Sequence, residues 1–140
     1  MAIYYGDGTN SGAGRIIQAV NSANPNHYTY AIGTQGSLST SGSFEATITP
    51  NSSSSKILVM MSFSISAPSD LEGAYQIIRE VGGVATAVAQ GSGSGARKEV
   101  TGAGELRVNS RLSTFNTSHI DSPSTTSACK YYLQFRHDSS

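Results

Sequence analysis

The sequence predicts an all-β fold, an antiparallel β-sandwich of the jelly-roll type with about eight short strands. Apolar and polar residues alternate with a period of two in several segments, which is typical of half-buried strands. Glycine, serine and proline separate these segments at short intervals, as turns do. No segment sustains the period of 3.6 residues that an amphipathic helix requires. The chain of 140 residues has the length of a single domain.

The N-terminal residues 1–15 are predicted to form an extended arm ahead of a single β-sandwich domain at residues 16–140. Four glycines between residues 6 and 14 disfavour a regular element there. Ile3, Tyr4 and Tyr5 precede these glycines and are predicted to anchor the arm to a binding partner, because apolar and aromatic side chains dominate binding energy at interfaces. A frayed terminus is the alternative for the arm. Residues 15–20 are predicted to form a short strand or a single turn of helix.

The predicted strands follow one another along the rest of the chain. Gly82 and Gly83 separate two of them and predict a tight hairpin. Gly102 and Gly104 are expected to break the strand that comes after this hairpin. The predicted strands cover residues 28–32, 44–48, 57–65, 75–81, 84–89, 97–100 and 129–136, and a further one begins at residues 106–112 and leads toward Phe115 and Ile120.

The strongest predicted strand covers residues 57–65 and is apolar on both faces in its first half. Its odd-numbered residues form one apolar face, and Leu58 and Met60 lie on the opposite face. A strand that is apolar on both faces is expected to lie centrally and to be covered twice. The second cover is either the N-terminal segment or another subunit. Leu58 and Met60 are therefore the predicted oligomer interface.

Composition and charge exclude several classes of protein. Lysine plus arginine number 9 and aspartate plus glutamate number 9, so a strongly basic nucleic-acid-binding protein is not expected. Charged residues make up 13% of the chain, and so low a charge favours self-association. No apolar stretch approaches the roughly 18 residues of a membrane span, and no signal peptide is apparent. We therefore expect neither a nucleic-acid partner nor a membrane, and synthesis in a cytoplasm.

The residues that could carry chemistry are few and scattered. His27, His119 and His137 do not have metal-ligand spacing, and no serine lies in a nucleophile elbow. The single Cys129 allows neither an intrachain disulfide nor a multi-cysteine zinc site, and it is expected to act as a small buried hydrophobic residue. The sequence thus predicts no catalytic residue, no metal and no cofactor. A carbohydrate-binding module or an enzyme remains an alternative, although the strand tyrosines are more simply explained as core or interface.

Two stretches resemble a module of phage virion proteins that is common in cyanophages. Residues 48–61 resemble its "ITPSSTSSKILV" strand. Residues 121–128, with the Tyr-x-x-Gln-Phe pattern that ends at Phe135, resemble its "DSPSTTSATTYKVQF" ending. Residues 75–79 resemble a weaker "YQLLR" strand, and residues 4–8 and 14–18 resemble the starts of such proteins. The resemblance implies a β-sandwich that commonly forms trimers, occurs in tail fibres and in small head proteins, and has no catalytic residues.

The resemblance and the single short domain together predict a virion structural protein. We expect a capsid decoration, or cement, protein that forms a homo-oligomer, most simply a trimer. It would lie on the capsid exterior and bind the major capsid protein. The alternative is a tail fibre or tail-associated module that binds a receptor or a carbohydrate.

Overall fold

The computed structural model describes residues 16–24, 39–67, 71–93, 99–106 and 112–138. Within these ranges the chain forms seven β-strands and no helix. All strand pairs are antiparallel, so the prediction of an all-β antiparallel sandwich is confirmed. The arm at residues 1–15 and the strand predicted at residues 28–32 lie outside the described residues. The strands are β1 Ser39–Ile48, β2 Ile57–Ile65, β3 Leu71–Val81, β4 Val84–Val88, β5 Gly102–Leu106, β6 Ser113–Asp121 and β7 Cys129–Asp138.

The strands form a larger and a smaller sheet. In the larger sheet the order is β1-β7-β3-β4, and β5 also pairs with β3. Because β7 pairs with one edge of β3, β4 and β5 share the other edge, β4 along residues 77–81 and β5 along residues 71–75. The smaller sheet consists of β2 and β6, which pair without a break from Ile57–Asp121 to Ile65–Ser113.

The hydrophobic core lies between the two sheets. Phe63 of β2 is at its centre, with its ring centroid 5.1 Å from that of Tyr75, 5.4 Å from Phe135 and 5.5 Å from Phe115. These rings come from both sheets, and edge-to-face and stacked contacts of this kind add to the stability from burial. The buried members of the core are Ile57, Val59, Phe63, Tyr75, Ile77, Val88, Cys129, Tyr131, Leu133 and Phe135.

The hairpin between β3 and β4 confirms the prediction made from its two glycines. Gly82 and Gly83 have φ angles of 57° and 83°, which only glycine adopts readily. Two successive residues with positive φ match the right-handed twist of the flanking strands, so Val81 pairs directly with Val84.

The prediction that β2 lies centrally is wrong. Among the described strands, β6 is its only hydrogen-bonded neighbour, and Leu58 and Met60 on its outer face are exposed. The strands that are buried on both faces are β3, around Ile77 and Ile78, and β7, around Leu133. Alternation in the sequence cannot distinguish a face that the chain covers from a face that stays open, and this explains the error.

Two further local predictions are wrong. Of the residues 15–20 that were predicted to form a short strand or a helical turn, the described residues 16–20 form neither. Of the strand predicted at residues 97–100, the described residues 99 and 100 are not in a strand, and β5 instead runs through the two glycines that were expected to break it. A Cβ atom on Gly102 would lie 2.5 Å from Oη of Tyr75, and one on Gly104 would lie 2.9 Å from the ring of Phe115. Glycine is required here because core aromatic rings pass close to the backbone of β5.

Candidate interaction surface

The outer face of the β2–β6 sheet carries a group of exposed apolar side chains. The register sets Leu58 opposite Ile120 and Met60 opposite Ser118. Directly opposed side chains in an antiparallel pair lie about 5 Å apart, and residues two positions apart share a face. The exposed fractions are 57% for Leu58, 74% for Met60 and 64% for Ile120. We call Leu58, Met60 and Ile120 the apolar patch.

The rest of this outer face is polar. Towards the other end of the sheet, Ser62 lies opposite Asn116 and Ser64 lies opposite Thr114. The hydroxyl oxygens of Ser64 and Thr114 are 2.8 Å apart and form a hydrogen bond. The apolar residues are therefore confined to one end of the sheet, while the hydroxyl-rich end satisfies its polar groups locally.

A buried polar network holds the sheet at the end that carries the patch. Asp121 lies on β6 next to Ile120 and is directed into the core. Nη1 of Arg79 on β3 donates to both of its carboxylate oxygens, at 2.9 and 2.8 Å, and Oη of Tyr131 on β7 donates at 2.7 Å. The network joins the two sheets. Because successive side chains of a strand point to opposite faces, the inward direction of Asp121 turns Ile120 outward.

The network keeps its charges at neutral pH. Burial alone would raise the pKa of Asp121, but hydrogen bonds from Tyr131 and Arg79, together with the charge of Arg79, hold that pKa below its ordinary value of 3.8. Burial, and the hydrogen bond that it donates to Asp121, raise the pKa of Tyr131 above its ordinary value of 10.0. Asp121 is thus a carboxylate and Tyr131 a neutral phenol, and both act as structural groups.

Cys129 behaves as the sequence predicts. It is 0% exposed within the core, and burial raises the pKa of its thiol. A neutral, inaccessible thiol of this kind is a packing group and not a nucleophile.

A second exposed apolar element precedes the strands. Residues 16–24 lie outside any strand, and Ile16, Ile17 and Val20 are exposed to 65%, 57% and 46%. The stretch contains no aspartate, glutamate, lysine or arginine. We call residues 16–24 the apolar segment.

The structure brings together some of the predicted site residues. Leu58 and Met60 lie side by side and are joined by Ile120, which the sequence analysis did not assign to the interface. The outward direction of Ile120 could have been predicted from strand alternation. Residues 115 and 120 are five positions apart, an odd number, so Ile120 faces away from the core when Phe115 faces into it. Ile3, Tyr4 and Tyr5 lie outside the described residues.

In the described residues no three His, Cys, Asp or Glu side chains come together in a way that could hold a metal ion. The same part of the chain contains no helix that could cross a membrane.

No protein-family model, curated protein or solved structure matches this chain. Its function is therefore argued from its own residues.

Three stretches of the chain are neighbours in the fold. Residues 48–61 and 121–135 meet where Ile57 pairs with Asp121 and where Nζ of Lys56 donates a hydrogen bond of 2.6 Å to Oγ of Ser122. The third stretch, residues 75–79, supplies Arg79 to the same network. These stretches form one connected part of the sandwich, and the apolar patch lies on its outside.

Proposed function

We propose that the protein is a virion structural protein, specifically a capsid decoration protein that self-associates and binds the major capsid protein on the capsid exterior. The observation that carries this proposal is that three of the stretches resembling phage virion modules, residues 48–61, 75–79 and 121–135, contact one another around Asp121.

The apolar patch supports self-association. Complete burial of a Leu, Ile or Met side chain contributes about 1.5–3 kcal/mol. More than half of each patch side chain is still exposed, so covering the patch contributes about 3–6 kcal/mol in total. Association costs about 4–15 kcal/mol, and an oligomer therefore needs apolar surface beyond the patch. The net charge of zero adds no repulsion between copies.

A homotrimer is the oligomer that the resemblance implies. Light scattering of the purified protein at micromolar concentration is expected to give the mass of three chains, and Met60→Lys is expected to lower this mass by desolvating a charge against the partner. Val84→Lys is the matched control, because Val84 is also an exposed apolar strand residue, but on β4. A monomeric wild-type protein would contradict self-association. If both variants changed the measured mass equally, the patch would not be the interface.

The location on the virus particle can be tested directly. The protein is expected to remain on purified, DNA-filled heads that lack tails, in many copies per particle. Recovery on tails alone would instead support a tail fibre or tail-associated module. Absence from both fractions would contradict a virion function.

The arm carries the proposed contact with the capsid, through Ile3, Tyr4 and Tyr5. Deleting residues 2–14 is expected to leave the β domain folded and oligomeric, with an unchanged melting temperature, but to abolish or greatly weaken attachment to heads that lack the protein. The control variant retains the full arm and replaces only Ile3, Tyr4 and Tyr5 with serine. It should lose attachment to a similar extent, because aromatic and apolar anchors dominate interface energy. If both variants attached as well as the wild-type protein, the capsid contact would have to lie on the sandwich and not on the arm.

A further inference from the structure

Large exposed apolar side chains are concentrated at two places on the chain. In the described residues there are eight of them, and six belong either to the apolar patch or to the apolar segment. Both groups remain exposed in the single chain, although 33 residues connect the end of the segment to Leu58. The chain thus presents two separate apolar surfaces and covers neither with the other.

The apolar segment has the pattern of a short helix that needs a surface. Ile16, Ile17, Val20 and Ala23 follow the spacing i, i+1, i+4, i+7, which places them on one side of an α-helix. The segment is not helical in the single chain, as expected of so short a stretch, because helices under about 12–15 residues are marginal in water. An apolar surface that covers this side would supply the missing stabilisation.

The dimensions of the segment and the patch are compatible. Nine helical residues would extend over about 13 Å. Leu58 and Met60 are about 7 Å apart along β2, and Ile120 lies one strand spacing away, about 5 Å. Two turns of helix therefore suffice to cover the patch. Charge is compatible as well, because neither residues 16–24 nor β2 contains a charged side chain. Contact between the two therefore buries no charge of either element.

We propose that the apolar segment of one copy of this chain binds the apolar patch of a second copy. This inference rests on the self-association in the proposed function and names the two surfaces that meet. Each copy contributes one segment and one different patch, so the contact can be made reciprocally in a two-fold dimer or head-to-tail around a ring. A closed ring of three copies, the oligomer that the resemblance implies, leaves no segment and no patch uncovered, whereas an open head-to-tail chain leaves one of each.

Engineered cysteines can test this contact without interference from Cys129, which is fully buried in the folded chain. One chain carries Ile17→Cys and a second chain carries Met60→Cys. The two are unfolded and refolded together with a reductant, which keeps Cys129 reduced, and the folded mixture is exposed to a mild oxidant after the reductant is removed. We expect a disulfide-linked dimer of one chain of each kind. Its yield should exceed that of an Ile17→Cys and Val84→Cys mixture roughly tenfold, because a bound segment holds the two sulphur atoms at high effective concentration. Val84 is a suitable control because it is 68% exposed and lies on β4 of the larger sheet, whereas the patch lies on the β2–β6 sheet.

Three results would overturn the proposal. A dominant dimer of Met60→Cys chains with each other would show patch-to-patch contact. A chain that carries both Ile17→Cys and Met60→Cys and forms only an intrachain disulfide would show that the segment covers its own patch. A yield equal to that of the Val84→Cys control would show no specific contact. These experiments use purified chains without a capsid, so their failure can be distinguished from a failure of the proposed virion function.

Discussion

Replacing Asp121 with alanine is expected to destabilise the fold by about 3 kcal/mol, because it leaves Arg79 as a charge without its partner inside the sandwich. Asp121 accepts hydrogen bonds from Nη1 of Arg79 at 2.9 and 2.8 Å, from Oη of Tyr131 at 2.7 Å and from the backbone N–H of Ser122 at 2.8 Å. The substitution removes all of these hydrogen bonds together.

The size of the effect follows from burial. Breaking a buried ion pair costs about 3–5 kcal/mol, and leaving a buried hydroxyl without its acceptor costs about 1–3 kcal/mol. The side chains of Arg79 and Asp121 are 19% and 8% exposed, so water can partly solvate the guanidinium group after the substitution. We therefore take the lower end of the range, about 3 kcal/mol.

Urea unfolding at one fixed protein concentration measures this change, since the stability of an oligomer depends on concentration. With a slope of about 2 kcal/mol per M, a loss of about 3 kcal/mol lowers the midpoint by about 1.5 M. The matched control is Glu80→Ala, which removes the Lys130–Glu80 ion pair, 3.1 Å long and with side chains that are 35% and 28% exposed. We expect a clearly smaller shift of its midpoint, because this pair is more accessible to water than the Arg79–Asp121 pair and solvated ion pairs contribute less to stability.

A second variant separates the loss of the pair from a general loss of packing. Arg79→Met combined with Asp121→Ala removes both charges and should be more stable than Asp121→Ala alone. The reasoning would be refuted if Asp121→Ala moved the urea midpoint no further than Glu80→Ala. It would also be refuted if the double variant were less stable than Asp121→Ala by as much as Arg79→Met alone destabilises the wild-type protein.

Three further outcomes follow from the same contacts. The pKa of Asp121 is lowered in the folded protein. The stability that Asp121 contributes is therefore complete at a pH above 3.8, the ordinary pKa of the group, and is lost as the pH falls through the lower pKa of the folded state. Asp121→Asn should flatten the acid limb of a plot of urea midpoint against pH. The pKa of Tyr131 is raised, so the stability that Tyr131 contributes is complete below pH 10.0 and is lost at higher pH. Tyr131→Phe should flatten the alkaline limb of the same plot. Unchanged acid and alkaline limbs would contradict these two assignments. Gly102→Ala should cost about 1–3 kcal/mol in urea unfolding, because its Cβ would lie 2.5 Å from Oη of Tyr75; Gly91→Ala, with its nearest neighbour at 4.0 Å, should leave the midpoint unchanged.

Much of the local structure could be predicted from periodicity and turn chemistry. The inward-facing residues of β2 and β7 are those that alternation assigns, and the glycine pair marks the β3–β4 hairpin correctly. Strand β5 could not be predicted in the same way. A glycine in a strand pattern indicates either a break or a close approach, and only the position of Tyr75 against Gly102 decides between them.

The candidate surface was predicted in part. Leu58 and Met60 were assigned to an interface because β2 is apolar on both faces, and both are exposed on its outer face. Ile120 completes the patch because the register sets it opposite Leu58. The paired residues of β2 and β6 are 48 to 64 positions apart in the chain, so their register is set by contacts that a local pattern does not contain.

The sequence by itself determined the class of fold, the positions of most strands and the side of each strand that is apolar, because these depend on a period of two and on turn residues within a few positions. Only the tertiary structure decided which strands share a sheet, which apolar faces stay open and which partners a buried charge finds. Arg79 and Asp121 are 42 residues apart in the chain and become neighbours only when β3 and β6 pack across the sandwich. The physical reason is that side-chain alternation is a local property, whereas burial and pairing depend on contacts between distant segments.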